Sequence, residues 1–329
     1  MKNRIAKAAI GIASGLLCCA LASVAVAQSI ALKAGHSAAT TEPYQAGFDE
    51  MARVAKEKSG ERLQIQVFPN SQLGQEKEMV EGLLLGTIDI ANPTTAVLAN
   101  FVPALKVLDL PFLFDDRTHM YRVLDGPIGE ELGRAMLARG FRLLAWQEAG
   151  FRHIMTKKAI NDMSDLKGLK IRTMQSPIHV SAFQAFGANP TPLAYGEVYG
   201  ALQSGVVDGA EAGNSNYYAQ RFFEVAPQWA MVSWTSLVIP VIMSEKRFQA
   251  LPKDMQAVLV EAAKAGAVVE RKAYADSETS RLADLQKAGV KVTKPDPEKF
   301  REAAKTVYAK FVTDPSDKKI LDQIIAARQ

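Results

Sequence analysis

The segment Lys170-Ile171-Arg172-Thr173-Met174-Gln175-Ser176-Pro177 carries an arginine through a short strand pattern that breaks into a helix at Pro177. Period-two alternation turns Arg172 away from Ile171 and Thr173. Open α/β sheets place ligands at the C-terminal ends of their strands, and the free N–H groups of a helix start favour anions. A guanidinium there can hold a carboxylate through two parallel hydrogen bonds, or it can cap a neighbouring carbonyl. Arg152, in Gly150-Phe151-Arg152-His153, starts another strand after an expected crossover. It suits a ligand contact or a salt bridge between domains. Glu76 opens a helix after Leu73-Gly74-Gln75, where a carboxylate interacts favourably with the helix dipole. His36 follows Gly35 at the end of the first strand, a loop position. Trp234 and Tyr217 read as packing residues, with an aromatic beside a sugar-like ligand as the other reading.

Bond-breaking chemistry leaves no comparable trace. The sequence has no G-x-S-x-G elbow, Walker loop, G-x-G-x-x-G or H-E-x-x-H. His36, His119, His153 and His179 stand singly, none with a second ligand at i+3 or i+4, which argues against a metal site. Glu130-Glu131 sits on a charged helical stretch and reads as solvated. No cofactor, metal or catalytic residue is expected.

The elements that would position these residues alternate short apolar runs with longer amphipathic stretches, the pattern of an α/β protein. Strands are expected over Ser29 to Lys33, Leu63 to Phe68, Thr87 to Ala91, Phe141 to Trp146, His153 to Thr156, Leu169 to Met174, Val206 to Ala210, Trp229 to Trp234, Leu237 to Ser244 and Val290 to Thr293. Pro240 makes the Leu237 to Ser244 run an edge or kinked strand. Helices are expected over Tyr44 to Lys58, Gln75 to Leu85, Met120 to Ala138, Pro177 to Phe186, Tyr195 to Gln203, Met255 to Gln286, Pro297 to Phe311 and Ile320 to Ala327. Residues 28–150 form mainly one lobe and 151–240 mainly a second. Residues 241–329 return to and span both. This is the plan of a hinged binding protein, and an open α/β enzyme gives the same periodicity.

Residues 1–27 have a basic start (Lys2, Arg4, Lys7), an apolar run and a small-residue site at Ala25-Val26-Ala27. They read as a secretory signal peptide cleaved after Ala27, which places the mature protein in the periplasm. A retained anchor would need a longer run, and Leu17 before Cys18 does not suit a lipoprotein signal. Cleavage removes both cysteines, Cys18 and Cys19. It also removes three of the 39 basic residues, leaving 36 against 35 acidic ones, so the net charge falls from +4 to +1. Nucleic-acid binding then has no electrostatic support.

An ordered series of motifs extends these readings over nearly all of the mature chain. It runs from Phe68-Pro69-Asn70-Ser71-Gln72-Leu73-Gly74 to Val107-Leu108-Asp109-Leu110-Pro111-Phe112-Leu113-Phe114. It continues through Asp165-Leu166-Lys167-Gly168-Leu169-Lys170-Ile171-Arg172 and Gly187-Ala188-Asn189-Pro190-Thr191-Pro192. It closes on Glu197-Val198-Tyr199-Gly200-Ala201-Leu202-Gln203-Ser204-Gly205-Val206-Val207-Asp208-Gly209-Ala210-Glu211. The series resembles the DctP-type solute-binding proteins of TRAP (tripartite ATP-independent periplasmic) transporters.

The resemblance implies a two-lobed periplasmic binding protein with hinge strands and a long interdomain helix, closing on an organic anion without chemistry. It places Arg172 at the carboxylate-pairing position and Arg152 at a second contact. Glu211, Glu76, His36, Asn92, Asn214 and Trp234 complete the implied ligand-facing set. The family commonly has an asparagine soon after the Asp-Gly-x-Glu stretch. Here Ala212-Gly213 stands there, with Asn214 and Asn216 slightly later. Hydroxyl-facing residues favour a sugar acid such as D-glucuronate or D-galacturonate, with a C4-dicarboxylate as the alternative. The implied partners are the small and large membrane subunits of a permease, with the binding protein a monomer. Rival classes are a solute binder of another transporter type, an orphan sensor component and an exported α/β enzyme acting on an acid.

Overall fold

The computed structural model describes residues 29–328. The expected leader, its cleavage after Ala27, and Cys18 and Cys19 lie outside the described residues. Eleven strands follow in chain order: β1 (Ile30–Gly35), β2 (Leu63–Phe68), β3 (Ile90–Ala91), β4 (Phe141–Phe151), β5 (His153–Thr156), β6 (Lys170–Thr173), β7 (Asn189–Pro192), β8 (Gly209–Ala212), β9 (Gln228–Ala230), β10 (Ser236–Ser244) and β11 (Lys291–Thr293). They form two sheets, ordered β2-β1-β3-β10-β4 and β11-β9-β5-β8-β6-β7. Each sheet is the centre of one lobe. The chain passes between lobes from β4 to β5 through Arg152, from β9 to β10, and along a 35-residue helix, Lys253–Lys287, that leads from β10 to β11.

One helix–sheet connection is built alike in both lobes. In lobe one, helix Glu76–Leu85 ends on left-handed Gly86 (φ 80°), and Asp89 accepts the Lys33 N–H at 2.8 Å. In lobe two, helix Val198–Ser204 ends on left-handed Gly205 (φ 76°), and Asp208 accepts the Lys170 N–H at 2.8 Å. Glycine adopts this backbone without a Cβ clash, so both helices stop sharply and feed a strand. The strands that follow are β3 and β8.

Helix Pro43–Lys58 buries Tyr44, Phe48, Met51, Val54 and Ala55, a three-and-four spacing that gives one apolar face. That face crosses the long helix where two glycines meet. A Cβ on Gly266 would stand 2.3 Å from the Gly47 carbonyl oxygen.

Several elements differ from expectation, for local reasons. Met120 to Ala138 is two helices, Arg117–Leu124 and Pro127–Leu137. Pro127 cannot donate into a preceding turn and forces Gly126 into an extended conformation. β10 is an inner strand rather than an edge, and its pairing with β4 shifts register between Val241 and Ile242, close to Pro240, in line with the kinked reading. β3, however, pairs only with Ile242 and Met243, so beside Pro240 that flank needs no donor. β7, which has no alternating pattern, pairs with β6 from Lys170↔Asn189 to Thr173↔Pro192. It is an outer strand, where two prolines are tolerated. The strands expected over 87–91, 206–210 and 229–234 are shorter or shifted. No helix among the described residues is long and apolar enough to cross a membrane.

Candidate functional site

Arg172 lies on β6 and Glu211 on β8, parallel neighbours in lobe two, while Arg152 sits in the link from β4 to β5. All three are buried, with at most 2% of any residue exposed, so each charge must be paired. Glu211 joins the two arginines. Its Oε2 accepts from Arg152 Nε at 2.7 Å and its Oε1 from Arg172 Nη1 at 3.3 Å. Burial pushes the Glu211 carboxyl up, but the two guanidiniums outweigh it and hold it below the ordinary carboxylate value. Burial lowers Arg172, which has the more distant share of Glu211 and a second guanidinium nearby.

Arg152 uses four of its five N–H donors, the first of them from Nε to Glu211. It donates from Nη1 to Asn216 Oδ1 at 2.8 Å and to Ala149 O at 3.3 Å, and from Nη2 to Glu211 O at 3.2 Å. Arg172 uses three. Its Nε and Nη2 both donate to Leu193 O, at 3.0 and 2.7 Å, and Nη1 donates to Glu211. A guanidinium has five N–H donors. One hydrogen on each terminal nitrogen therefore has no acceptor among the described residues. The carbonyl-capping and anion-holding readings of Arg172 are thus compatible: one side of the fork caps Leu193, two hydrogens remain, and the residue lines a narrow cavity.

Glu76, from lobe one, lines the same cavity with Met174, Gln175 and Tyr195. Its Oε2 accepts from Thr94 N at 2.9 Å and Thr94 Oγ1 at 2.7 Å. Burial pushes its carboxyl up despite these donors and the nearby Arg172.

The other residues singled out from sequence are engaged elsewhere. His36 is fully buried, stacked on Phe48 at 5.4 Å, with Nε2 3.1 Å from Gln45 Oε1. Asn92 donates to Gln147 at 3.1 Å. Asn214 donates to Glu278 Oε1 at 2.8 Å on the long helix and accepts from Trp229 Nε1 at 2.9 Å. Trp234 packs edge-on against His179 and Phe183, at 4.9 and 5.2 Å. Tyr217 stacks on Trp229 at 4.1 Å, a packing residue. Of the two asparagines after Ala212-Gly213, Asn216 is the one that reaches the arginines.

Sequence reasoning missed the lobe-one carboxylate of Glu42 and the lobe-two residues around it. Gln220 Nε2 donates to Glu42 Oε1 at 2.9 Å, Asn216 Nδ2 donates to Oε2, and the Tyr195 hydroxyl lies 3.4 Å from both oxygens. Glu42 stands just before a helix, close to the helix-opening placement that drew attention to Glu76. That was the available signal. Among the described residues no group of three or more His, Cys, Asp or Glu could hold a metal ion.

Two α/β lobes joined by three connections, with a buried arginine on a cavity lined from both of them, define the class of hinged solute-binding proteins. Residues 34–314 match the model of the bacterial extracellular solute-binding protein family 7 (DctP), and the chain belongs to that family. A solved TRAP periplasmic solute-binding protein from a Bradyrhizobium species, in complex with D-galacturonate, is 37% identical, with a TM-score of 0.87 over 90% of this chain and 99% of that one. One from a Polaromonas species, bound to D-erythronate, is 35% identical, with a TM-score of 0.89 over 92% of this chain and 100% of that one. The C4-dicarboxylate-binding periplasmic protein DctP of Vibrio cholerae is 34% identical over 270 residues, 80% of each chain. The expected fold and family stand, and the protein is an extracytoplasmic solute-binding protein of the TRAP type.

Proposed function

We propose that the ligand is a polyhydroxylated monocarboxylate, with hexuronates such as D-galacturonate and D-glucuronate as the leading candidates. The observation that carries this is the pair of unused hydrogens on Arg172 beside the Glu76 carboxylate. The two terminal nitrogens form the fork that a carboxylate takes bidentately. The opposite wall supplies acceptors, which suit hydroxyl donors and repel a second carboxylate. The relatives bound to D-galacturonate and D-erythronate support the same class. A C4-dicarboxylate is the second reading, favoured by the Vibrio relative.

In this reading Arg172 anchors the ligand, Glu211 and Arg152 hold Arg172 in place, and closure of the lobes removes water from the anion. The ligand leaves unchanged, delivered to the small and large membrane subunits of a permease. The binding protein works as a monomer in the periplasm after cleavage at Ala27. His36, Asn92, Asn214 and Trp234 support the cleft from behind rather than touch the ligand.

Isothermal titration with D-galacturonate, D-glucuronate, D-erythronate, succinate and malate tests the ligand class. Binding of the sugar acids is expected, and it weakens by about 3–5 kcal/mol in Arg172→Ala, the scale for removing one partner of a buried ion pair. A response confined to succinate or malate refutes the sugar-acid reading. Recovery of chemically altered ligand by NMR would establish an enzyme instead.

A further inference from the structure

Glu42 belongs to lobe one by sequence and to lobe two by its hydrogen bonds. It precedes helix Pro43–Lys58, and from its own lobe its carboxylate accepts only the Ala39 N–H, at 2.8 Å, among the described residues. Its other donors, Gln220, Asn216 and Tyr195, come from across the cleft. Parting the lobes removes all three and returns the carboxylate to water. Only 2% of Glu42 is exposed, and a carboxylate so buried is tolerable only with donors in place.

The donors are themselves fixed by the anion site. Asn216 presents its Nδ2 to Glu42 because its Oδ1 is held by Arg152 Nη1 at 2.8 Å. Arg152 is held in turn by Glu211, which also pairs Arg172. An amide whose oxygen faces a guanidinium cannot flip without losing that bond. The anion-binding lobe therefore offers lobe one a pre-oriented seat for a carboxylate.

We infer that Glu42 is the closure latch: its carboxylate docks on Asn216, Gln220 and Tyr195 when the lobes meet, and so sets how long the protein stays shut, whichever acid it holds. This rests on the hinged-binder reading but not on the identity of the ligand. The latch does not use the free hydrogens of Arg172, so it acts on release rather than on capture.

The chain from Gln28 onward has no cysteine, so Glu57→Cys and Lys167→Cys, at exposed positions one on each lobe, can carry a fluorophore pair. Single-molecule energy transfer then reads closed-state dwell times, alone and with saturating D-galacturonate or D-erythronate, and stopped flow reads dissociation. Glu42→Ala should shorten the closed state and speed dissociation by about tenfold or more, with association within about threefold of wild type. Gln220→Ala removes one donor from the opposite lobe without touching the helix start, and it should act in the same direction more weakly. Equal closed dwell times in wild type and both variants overturn the latch. So does a loss for one acid and not the other, because that marks Glu42 as a ligand contact. If neither acid shifts wild-type melting, the ligand reading fails separately, and the dwell times of spontaneous closures decide the latch.

Discussion

Replacing Glu211 by glutamine tests whether the two arginines need it as a counter-charge. Its side chain is fully buried between Arg152 and Arg172. Glu211→Gln keeps the shape and one acceptor oxygen but removes the carboxylate that, among the described residues, pairs both guanidiniums. Arg152 would keep neutral acceptors at Asn216, Ala149 and the Glu211 backbone, and Arg172 would keep Leu193. Hydrogen bonds therefore largely survive while charge compensation is lost. Breaking a buried pair by deleting one partner costs about 3–5 kcal/mol, and the retained acceptors put the expectation near 3. At about 2–4 °C per kcal/mol for large domains, melting should fall by roughly 6–12 °C. Urea unfolding followed by tryptophan fluorescence measures this directly, since Trp229 and Trp234 lie close to the site. The loss should depend on pH. The folded Glu211 carboxyl lies below its ordinary value of 4.5, so its contribution is present above that pH and disappears as pH falls through the folded value. Wild type and variant should converge on acidification. A ligand carboxylate would partly replace the missing charge, so an acid that binds should stabilise the variant more than the wild type. A loss below about 1 kcal/mol at neutral pH would refute the counter-charge argument.

Burial depresses His179 to about 4 and His153 to about 3 from 6.5, so both favour the folded state above pH 6.5, and that support is lost as pH falls toward 4. His179→Phe should flatten the acid side of a melting-temperature profile. Asp109 has the opposite sign: burial raises it from 3.8 to about 8, so its contribution is present below 3.8 and lost as pH rises through 8. Asp109→Asn should flatten the alkaline side, and a side-chain oxygen would remain to accept from Thr95 Oγ1, now at 2.7 Å. Gly266→Ala puts a methyl against the Gly47 carbonyl and should cost about 1–3 kcal/mol in urea unfolding by forcing two helices apart.

Legibility in the sequence tracks the range of the interactions involved. Helix Pro297–Phe311 and strand Leu63–Phe68 were readable to the residue, because proline at the helix start and strict alternation in the strand act within a few positions. The edge strand Asn189–Pro192 was not, because nothing local makes Asn-Pro-Thr-Pro extended and paired. Its partner β6 does. Pro240 was readable as an obstacle to pairing, but where β3 ends is a property of another segment.

The site divides in the same way. Arg172 could be found from strand phase and the helix that follows. Which of Asn214 and Asn216 would meet Arg152 could not, since both sit in the first turns of one short helix and face different neighbours. Glu42 was least legible, with donors 153, 174 and 178 residues away.

The distribution of charge nevertheless follows a rule that operates at the level of residue type. Lobe two holds two arginines against one carboxylate, so alone it carries an excess positive charge at the cleft. Lobe one contributes Glu42 and Glu76 where the lobes meet, and among the described residues no cation from it lines the cavity with Arg172. Closing the lobes without an anion brings two cations against three carboxylates, and burial raises the two from lobe one. A monoanion that donates a hydroxyl hydrogen to Glu76 fills the Arg172 fork and eases the burial of that carboxylate together, while Glu42 already has its donors from lobe two. A dianion does the first and worsens the second. Selectivity then resides less in any single contact than in which lobe carries which sign.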